Sequence, residues 1–286
     1  TAVEDRQLAA VNTLSDADGM STVQYQWQRS DSSASSFSNI AGATGATYTL
    51  ADGDVEKLVR VIATYTDNHH SHESVESNST SAVINVNDVP TGAIVIPGLA
   101  HEDELLGIDN SIGDADGLGV LQYQWQRADS GSTLFTDVAG ATQATYTLGD
   151  DDVGKIVRID TFYTDLRGFT ESLASAPSGV VANVNDVPTG LAEITGAAQE
   201  NSSLTADISK IADNDGLGTF AYQWQRASSA SFSSIPGATH RQYTLGDDEV
   251  GQLVRYVVSF TDDHGTPETV ISSVTSLVAN VNDDPT

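Results

Sequence analysis

Val120-Leu121-Gln122-Tyr123-Gln124-Trp125-Gln126-Arg127-Ala128 decides the fold class of this chain. Tyr123 and Trp125 fall on one face of an extended segment, and Gln122, Gln124 and Gln126 fall on the other. Successive side chains of a strand point to opposite faces, so this period of two predicts a strand with one buried face. The preceding Gly113-Asp114-Ala115-Asp116-Gly117-Leu118-Gly119 is rich in Gly and Asp and reads as a turn cluster.

The centre of that stretch recurs. Tyr-Gln-Trp-Gln-Arg stands at Tyr25–Arg29, Tyr123–Arg127 and Tyr222–Arg226, at spacings of 98 and 99 residues. A second motif recurs in step with it, Asn85-Val86-Asn87-Asp88-Val89-Pro90-Thr91. Its other copies are Asn183–Thr189 and Asn280–Thr286. Proline fixes φ and keeps the residue before it extended, so each copy of this second motif reads as a stiff connector. A period near 98 residues is the size of a domain, so each copy is expected to fold as a unit. The expected domains are 1–88, 89–186 and 187–286. At an offset of 98, Thr1 aligns with Leu99. Copy one is therefore expected to lack the opening Pro90–Gly98 segment, and the chain to be a piece of a longer tandem array. No signal peptide is read at Thr1.

In copy two the expected strands are Gly92–Ala100, Glu104–Ser111, Val120–Ala128, Ala144–Leu148, Lys155–Asp165 and Leu173–Asn185. The last of these runs straight into the connector, Gly149–Asp152 is a turn, and no helix is expected. Short strands with regular turns in about 98 residues predict an immunoglobulin-like sandwich. Trp27, Trp125 and Trp224 take the place of the buried tryptophan of that fold, and are expected in the core rather than on a sugar-stacking surface. Arg60, Arg158 and Arg255 are expected to make cross-strand contacts with Gln or Asp.

The chain has 286 residues, of which 39% are hydrophobic, enough for a packed core in each copy. Acidic residues number 40 against 12 basic ones, a formal net charge of −28. Such a surface repels nucleic acid and anionic membrane and attracts cations, although solubility or adaptation to salt water would give the same excess. There is no cysteine, which excludes disulfides, zinc–thiolate sites and thiol catalysis. No apolar run reaches the roughly 18 to 20 residues of a membrane span.

The acids recur at fixed places. On an immunoglobulin-like sandwich, the second-to-third loop carries Asp114 and Asp116, and the sixth strand ends at Asp165. These face the preceding connector. The first-to-second turn carries Glu102, and the fifth-to-sixth loop carries Asp150 and Asp152. These face the following connector. The first joint should therefore gather Glu4, Asp52, Asp54, Asn87, Asp88, Asp114, Asp116 and Asp165. The second should gather Glu102, Asp150, Asp152, Asn185, Asp186, Asp213, Asp215 and Asp262. Each set holds seven carboxylates. Two like charges about 4 Å apart repel by about 4 kcal/mol at an effective dielectric of 20. Seven without counter-charge would splay the joint, so divalent ions are expected there. An irregular, all-oxygen, carboxylate-rich cage suits Ca2+ better than magnesium, and zinc or copper would want His or Cys.

Other motifs fail. Asp114-Ala115-Asp116-Gly117 opens like a helix-flanked calcium loop, but its twelfth position is Trp125, where that loop needs Glu. No nucleophile elbow or phosphate-binding glycine loop occurs, and no enzyme activity is expected. His69, His70 and His72 cluster in one loop of copy one and read as solvated, with a transition-metal site as the alternative.

The joint pattern resembles cadherin repeats, in which a Glu near the first strand, an acidic pair before the sixth, an Asn-Asp linker, an Asp-x-Asp loop and a later Asp bind calcium between domains. The connectors differ in opening with Asn85 or Asn183 where cadherins carry Asp. With Gly140-Ala141-Thr142 and Tyr146-Thr147-Leu148, the whole-length pattern is more similar to tandem repeats of large bacterial surface adhesins, which often share a chain with RTX calcium repeats. The resemblance implies an all-β chain of three tandem immunoglobulin-like, cadherin-like sandwich domains in an extended rod. It implies a calcium-rigidified stalk, secreted to the surface of a Gram-negative bacterium, that projects an adhesive tip for adhesion or biofilm formation. Expected partners are neighbouring repeats of the same chain and an extracellular ligand held by other domains, with no nucleic acid, no membrane insertion and a monomeric state. The alternative is a module that itself binds polysaccharide or a cell-surface protein.

Overall fold

The computed structural model of the chain describes residues 1–31 and 36–282. Among these, every regular element is a strand apart from three single-turn 3-10 segments. Among the described residues no helix is long and apolar enough to cross a membrane. Copy one contains β1 (Gln7–Ala9), β2 (Gln24–Ser30), β3 (Ser38–Asn39), β4 (Thr47–Thr49), β5 (Leu58–Thr66) and β6 (His72–Glu76). Copy two contains β7 (Ile94–Val95), β8 (Leu105–Leu106), β9 (Asp109–Asn110), β10 (Gln122–Asp129), β11 (Thr136–Asp137), β12 (Tyr146–Thr147), β13 (Lys155–Thr164) and β14 (Thr170–Ala174). Copy three contains β15 (Glu193–Thr195), β16 (Ser203–Asp207), β17 (Ala221–Ala227), β18 (Ser233–Ser234), β19 (Gln242–Thr244), β20 (Leu253–Thr261) and β21 (Pro267–Ile271).

The Tyr-Gln-Trp-Gln-Arg strand sits second in a four-stranded antiparallel sheet in every copy. The orders are β3-β2-β5-β6, β11-β10-β13-β14 and β18-β17-β20-β21. Trp27 lies opposite Val61, Trp125 opposite Ile159 and Trp224 opposite Tyr256. Aromatic and β-branched partners of this kind stabilise a ladder. Shorter strands make the facing layer: β1 with β4, β8 with β12 and β7 with β9, and β15-β16-β19. These are the two layers of an immunoglobulin-like sandwich.

Three hydrophobic clusters lie between the layers, one in each copy. In copy two Trp125, Val157 and Ile159 from one layer meet Ile94 and Leu106 from the other. The tryptophans are in the core: Trp125 and Trp224 are 0% exposed and Trp27 is 3% exposed. Each indole N–H donates at 2.9 Å to a backbone carbonyl, those of Gly45, Gln143 and His240 in turn. A buried, satisfied indole cannot stack on a sugar. On the outer face, Arg60, Arg158 and Arg255 donate to Gln28, Gln126 and Gln225 at 2.8–2.9 Å. The same guanidinium groups cover Phe37, Phe135 and Phe232 at 4.0–4.2 Å.

The strand limits differ most from expectation in four places. Only Ile94–Val95 of Gly92–Ala100 pairs, and only Tyr146–Thr147 of Ala144–Leu148. Glu104–Ser111 is split into β8 and β9 at Gly107, whereas copy three runs unbroken through Thr205 as β16. Glycine in a strand interior weakens it. The expected Leu173–Asn185 strand ends at Ala174. Beyond it the Ser175 and Ser178 hydroxyls accept the backbone N–H groups of Ile159 and Val157 at 3.1 Å, where a ladder would place carbonyls. Pro177 offers no N–H at all.

Candidate metal centres at the seams between copies

Each seam is the place where one copy's connector meets the loops of the next. Glu4, Glu102 and Glu200 open tight turns whose next residues, Asp5, Asp103 and Asn201, have φ of 60°, 61° and 63°. Asp and Asn tolerate this left-handed region better than most residues. The turns are tied to the end of their own copy. The Glu4 N–H donates to the Ile84 carbonyl at 3.0 Å, and that of Glu102 to Ala182 at 2.9 Å. The side chains then reach the connectors. The Val86 N–H donates to Glu4 Oε2 at 3.1 Å, Val184 to Glu102 Oε2 at 3.1 Å, and Val281 to Glu200 Oε2 at 2.8 Å.

The opposing loops are latched by the connector itself. Thr91 and Gly113 exchange backbone hydrogen bonds at 2.8 and 3.0 Å, as Thr189 and Ala212 do at 2.7 and 3.0 Å. This latch requires glycine next to the threonine. Gly92 and Gly190 have φ of 83° and 87°, and a Cβ there would fall 2.1 and 1.8 Å from the carbonyl oxygens of Ser111 and Lys210. The loops then close as Asx turns, with the N–H groups of Asp116 and Asp215 on Asp114 Oδ1 and Asp213 Oδ1 at 2.9 Å. The connector's aspartate docks on the same loop. The Asp88 N–H donates to Asp116 Oδ2 at 2.9 Å, and that of Asp186 to Asp215 Oδ2 at 2.7 Å.

At the first seam, oxygens of Glu4, Asp52 and Asp88 lie within 4.8 Å of one another, and so do those of Asp114, Asp116 and Asp165. The Asp88–Asp116 hydrogen bond joins the two groups. At the second seam Glu102, Asp186 and Asp215 form such a group. Asp150 touches Glu102, and Asp213 feels Asp215, Glu268 and Asp262. Among the described residues no Lys or Arg pairs with any of these acids, and the one ion pair spanning the first seam joins Arg167 to Glu56 at 3.3 Å.

One pattern runs through both seams. Several seam carboxylates have one oxygen fixed by backbone N–H and a second, buried oxygen with no hydrogen-bond donor. Glu4 Oε1, Asp116 Oδ1 and Asp165 Oδ2 are such oxygens at the first seam, and Glu102 Oε1, Asp213 Oδ2 and Asp262 Oδ2 at the second. Glu4 is 1% exposed, Glu102 3%, and Asp116, Asp165 and Asp262 are each 5% exposed. The Asn87 and Asn183 side-chain oxygens are buried and unpartnered as well. Leaving such oxygens without a donor costs free energy unless something supplies positive charge. Burial, then Asp52 and Asp88, push the Glu4 carboxyl up to about 7 against the pull of the Val86 N–H. Burial raises Asp88 and Asp213 too, with Asp52 and Asp116 adding to the first.

Two of the expected residues stand apart. Asp54 and Asp152 end the 3-10 turns Asp52–Asp54 and Asp150–Asp152, and their carboxylates turn inward. Asp152 accepts from Arg127 at 3.2 Å, Tyr146 at 2.6 Å and the Gly149 N–H at 3.1 Å. Asp54 accepts from Arg29, Tyr48 and the Ala51 N–H in the same way. Both carboxylates are satisfied inside their own sandwich. The arginine of each Tyr-Gln-Trp-Gln-Arg motif is explained by this buried pair, in copy three between Arg226 and Glu249 at 2.5 Å. Glu171 and Glu268 were not expected at the seams. They hold the Asn87 and Asn185 amide N–H groups at 2.8 and 3.0 Å. Their signal was recurrence, since Glu73 is the matching residue of copy one. In copy one, Asp18 and Asp67 group with His69, whose ring nitrogen lies 3.6 Å from Asp18. The third connector's Asp283–Thr286 lies outside the described residues.

No protein-family model and no curated protein sequence matches the chain. Solved structures match it along nearly its whole length. One is the Ca2+-stabilised adhesin that helps an Antarctic bacterium reach out and bind ice, 10% identical over 91% of this chain and 66% of that one, with a TM-score of 0.29. The chain thus spans just under two thirds of that structure. Another is a tetra-tandem repeat from the extending region of a large adhesion protein, 13% identical over 91% of this chain and 68% of that one, with a TM-score of 0.22. A D1–D4 ectodomain fragment of ICAM-5 matches at 12% identity over 97% of this chain and 73% of that one, with a TM-score of 0.35. Identities this low speak to fold alone, and the fold rests on the strands and sheet orders given above.

Proposed function

We propose that this chain is a calcium-stiffened stalk segment of a bacterial surface adhesin. The observation that carries the proposal is the row of buried carboxylate oxygens at each seam, one side fixed by backbone N–H and the other without a donor. Such side chains are oriented and desolvated before any ligand arrives. The donors are carboxylates and amide oxygens in an irregular cage, which is the chemistry calcium takes. Glu4, Asp52, Asp88, Asp114, Asp116 and Asp165 would hold ions at the first seam, with Asn87 beside them. Glu102, Asp150, Asp186, Asp213, Asp215 and Asp262 would do so at the second, with Asn185 beside them. Bound there, calcium supplies positive charge shared by two copies. On this reading the domains are 1–88, 89–186 and 187–286, joined into a rod that works outside the cell. The adhesin setting, with its secretion and its role in biofilms, follows from the sequence resemblance of the repeated motifs.

A ligand that binds only the folded chain adds RT ln(1 + [L]/Kd) to its stability, about 2.7 kcal/mol at 100-fold saturation. Calorimetric titration of the whole chain with calcium should give heat at both seams. X-ray scattering should show a smaller maximum dimension, or a broader distribution of dimensions, once a chelator is added. No heat and an unchanged scattering profile would defeat the proposal.

A further inference from the structure

Among their differences, which include Gly113 for Ala212 and Leu166 for Asp263, the two seams differ at one hydroxyl. Tyr163, near the end of β13, donates its phenolic hydrogen to Asp114 Oδ2. Tyr65 does the same to Asp16 Oδ2 in copy one, at 2.9 Å. The matching residue of copy three is Phe260 on β20, which packs edge-on against Phe220 with ring centroids 5.3 Å apart. With no hydroxyl there, Asp213 Oδ2 is buried and has no hydrogen-bond partner. The Asx turn itself is the same in both loops, since Asp114 Oδ1 and Asp213 Oδ1 each accept the N–H two residues on at 2.9 Å. Asp262, the neighbour of Asp213, is 5% exposed and carries a second unpartnered oxygen.

We infer that the residue at this position sets cation affinity seam by seam. Tyr163 keeps one oxygen of Asp114 engaged at the first seam, whereas Phe260 leaves the matching oxygen of Asp213 for a divalent cation, so the second seam binds more tightly. The inference rests on the calcium reading above. A cation drawing on Asp114 Oδ2 must share that oxygen with a charge-assisted hydrogen bond or displace it. At Asp213 it finds an oxygen that is already desolvated.

The test is calcium titration by calorimetry of the whole chain in four forms: wild type, Y163F, F260Y and the double swap. Wild type should show two classes of site differing by about tenfold in Kd, the size expected for losing one hydrogen bond to a charged group. Y163F should tighten the weaker class toward the stronger, and F260Y should weaken the stronger class by about tenfold. The double swap should restore two classes. Y163F removes one oxygen atom and adds nothing, so it decides the matter if F260Y does not fold. Calcium binding that neither swap moves, or an F260Y that binds more tightly, overturns the phenol's role and leaves the calcium reading intact. No calcium binding in wild type overturns both.

Discussion

Glu4→Gln exposes the charge balance of the first seam. Glutamine keeps an oxygen for the Val86 N–H, which now reaches Glu4 Oε2 at 3.1 Å, and removes only the charge. The Glu4 carboxyl is pushed from an ordinary 4.5 to about 7, first by burial and then by Asp52 and Asp88. Between those two values the calcium-free folded protein keeps a proton that the unfolded chain has released, so its stability falls as pH rises from about 4.5 to 7. Above that window the wild type carries the full cost of the buried charge, about 3 kcal/mol at 1.36 kcal/mol per pH unit. At pH 8 in chelator, E4Q is therefore expected to be more stable than wild type, by up to about 3 kcal/mol. For a domain of 60–100 residues each 1 kcal/mol moves Tm by about 4–8 °C, which scanning calorimetry resolves. In millimolar calcium the order should reverse, because wild type gains from an ion that E4Q binds poorly. An E4Q that is destabilised equally in chelator and in calcium would refute the reasoning, for Glu4 would then be only an acceptor for the connector.

Arg127→Ala removes the charged partner of Asp152, which is 1% exposed, and should destabilise copy two by about 3–5 kcal/mol. That loss should be equal with and without calcium in chemical denaturation, since Asp152 belongs to the interior of the sandwich. Replacing Asp114 and Asp116 together by Ala should loosen the first seam and leave the second intact. Scattering of that variant in calcium should show partial flexibility, and full rigidity or full collapse would count against seams that act separately.

Much of the fold could be read from the chain alone. The alternation in Tyr123-Gln124-Trp125, the spacing of its three copies and the absence of cysteine determine an all-β repeat with tryptophan in its cores, because strand periodicity is local and exact repetition is visible as text. The recurrence of acids beside the connectors was legible for the same reason. What they do individually was not. Asp52 and Asp54 are two residues apart and look alike, yet the 3-10 turn sends Asp52 to the seam and Asp54 into the sandwich against Arg29 and Tyr48. Leu173–Asn185 reads as one strand until Ser175 and Ser178 are seen taking the ladder's hydrogen bonds. Whether a carboxylate oxygen is left without a donor depends on which backbone N–H meets its twin. For Glu4 that group is on Val86, 82 residues away. Sequence spacing determined where negative charge would gather; only tertiary contact decided which of those oxygens are stripped of water and still unpaired, because desolvation is a property of the packed surroundings and not of the residue.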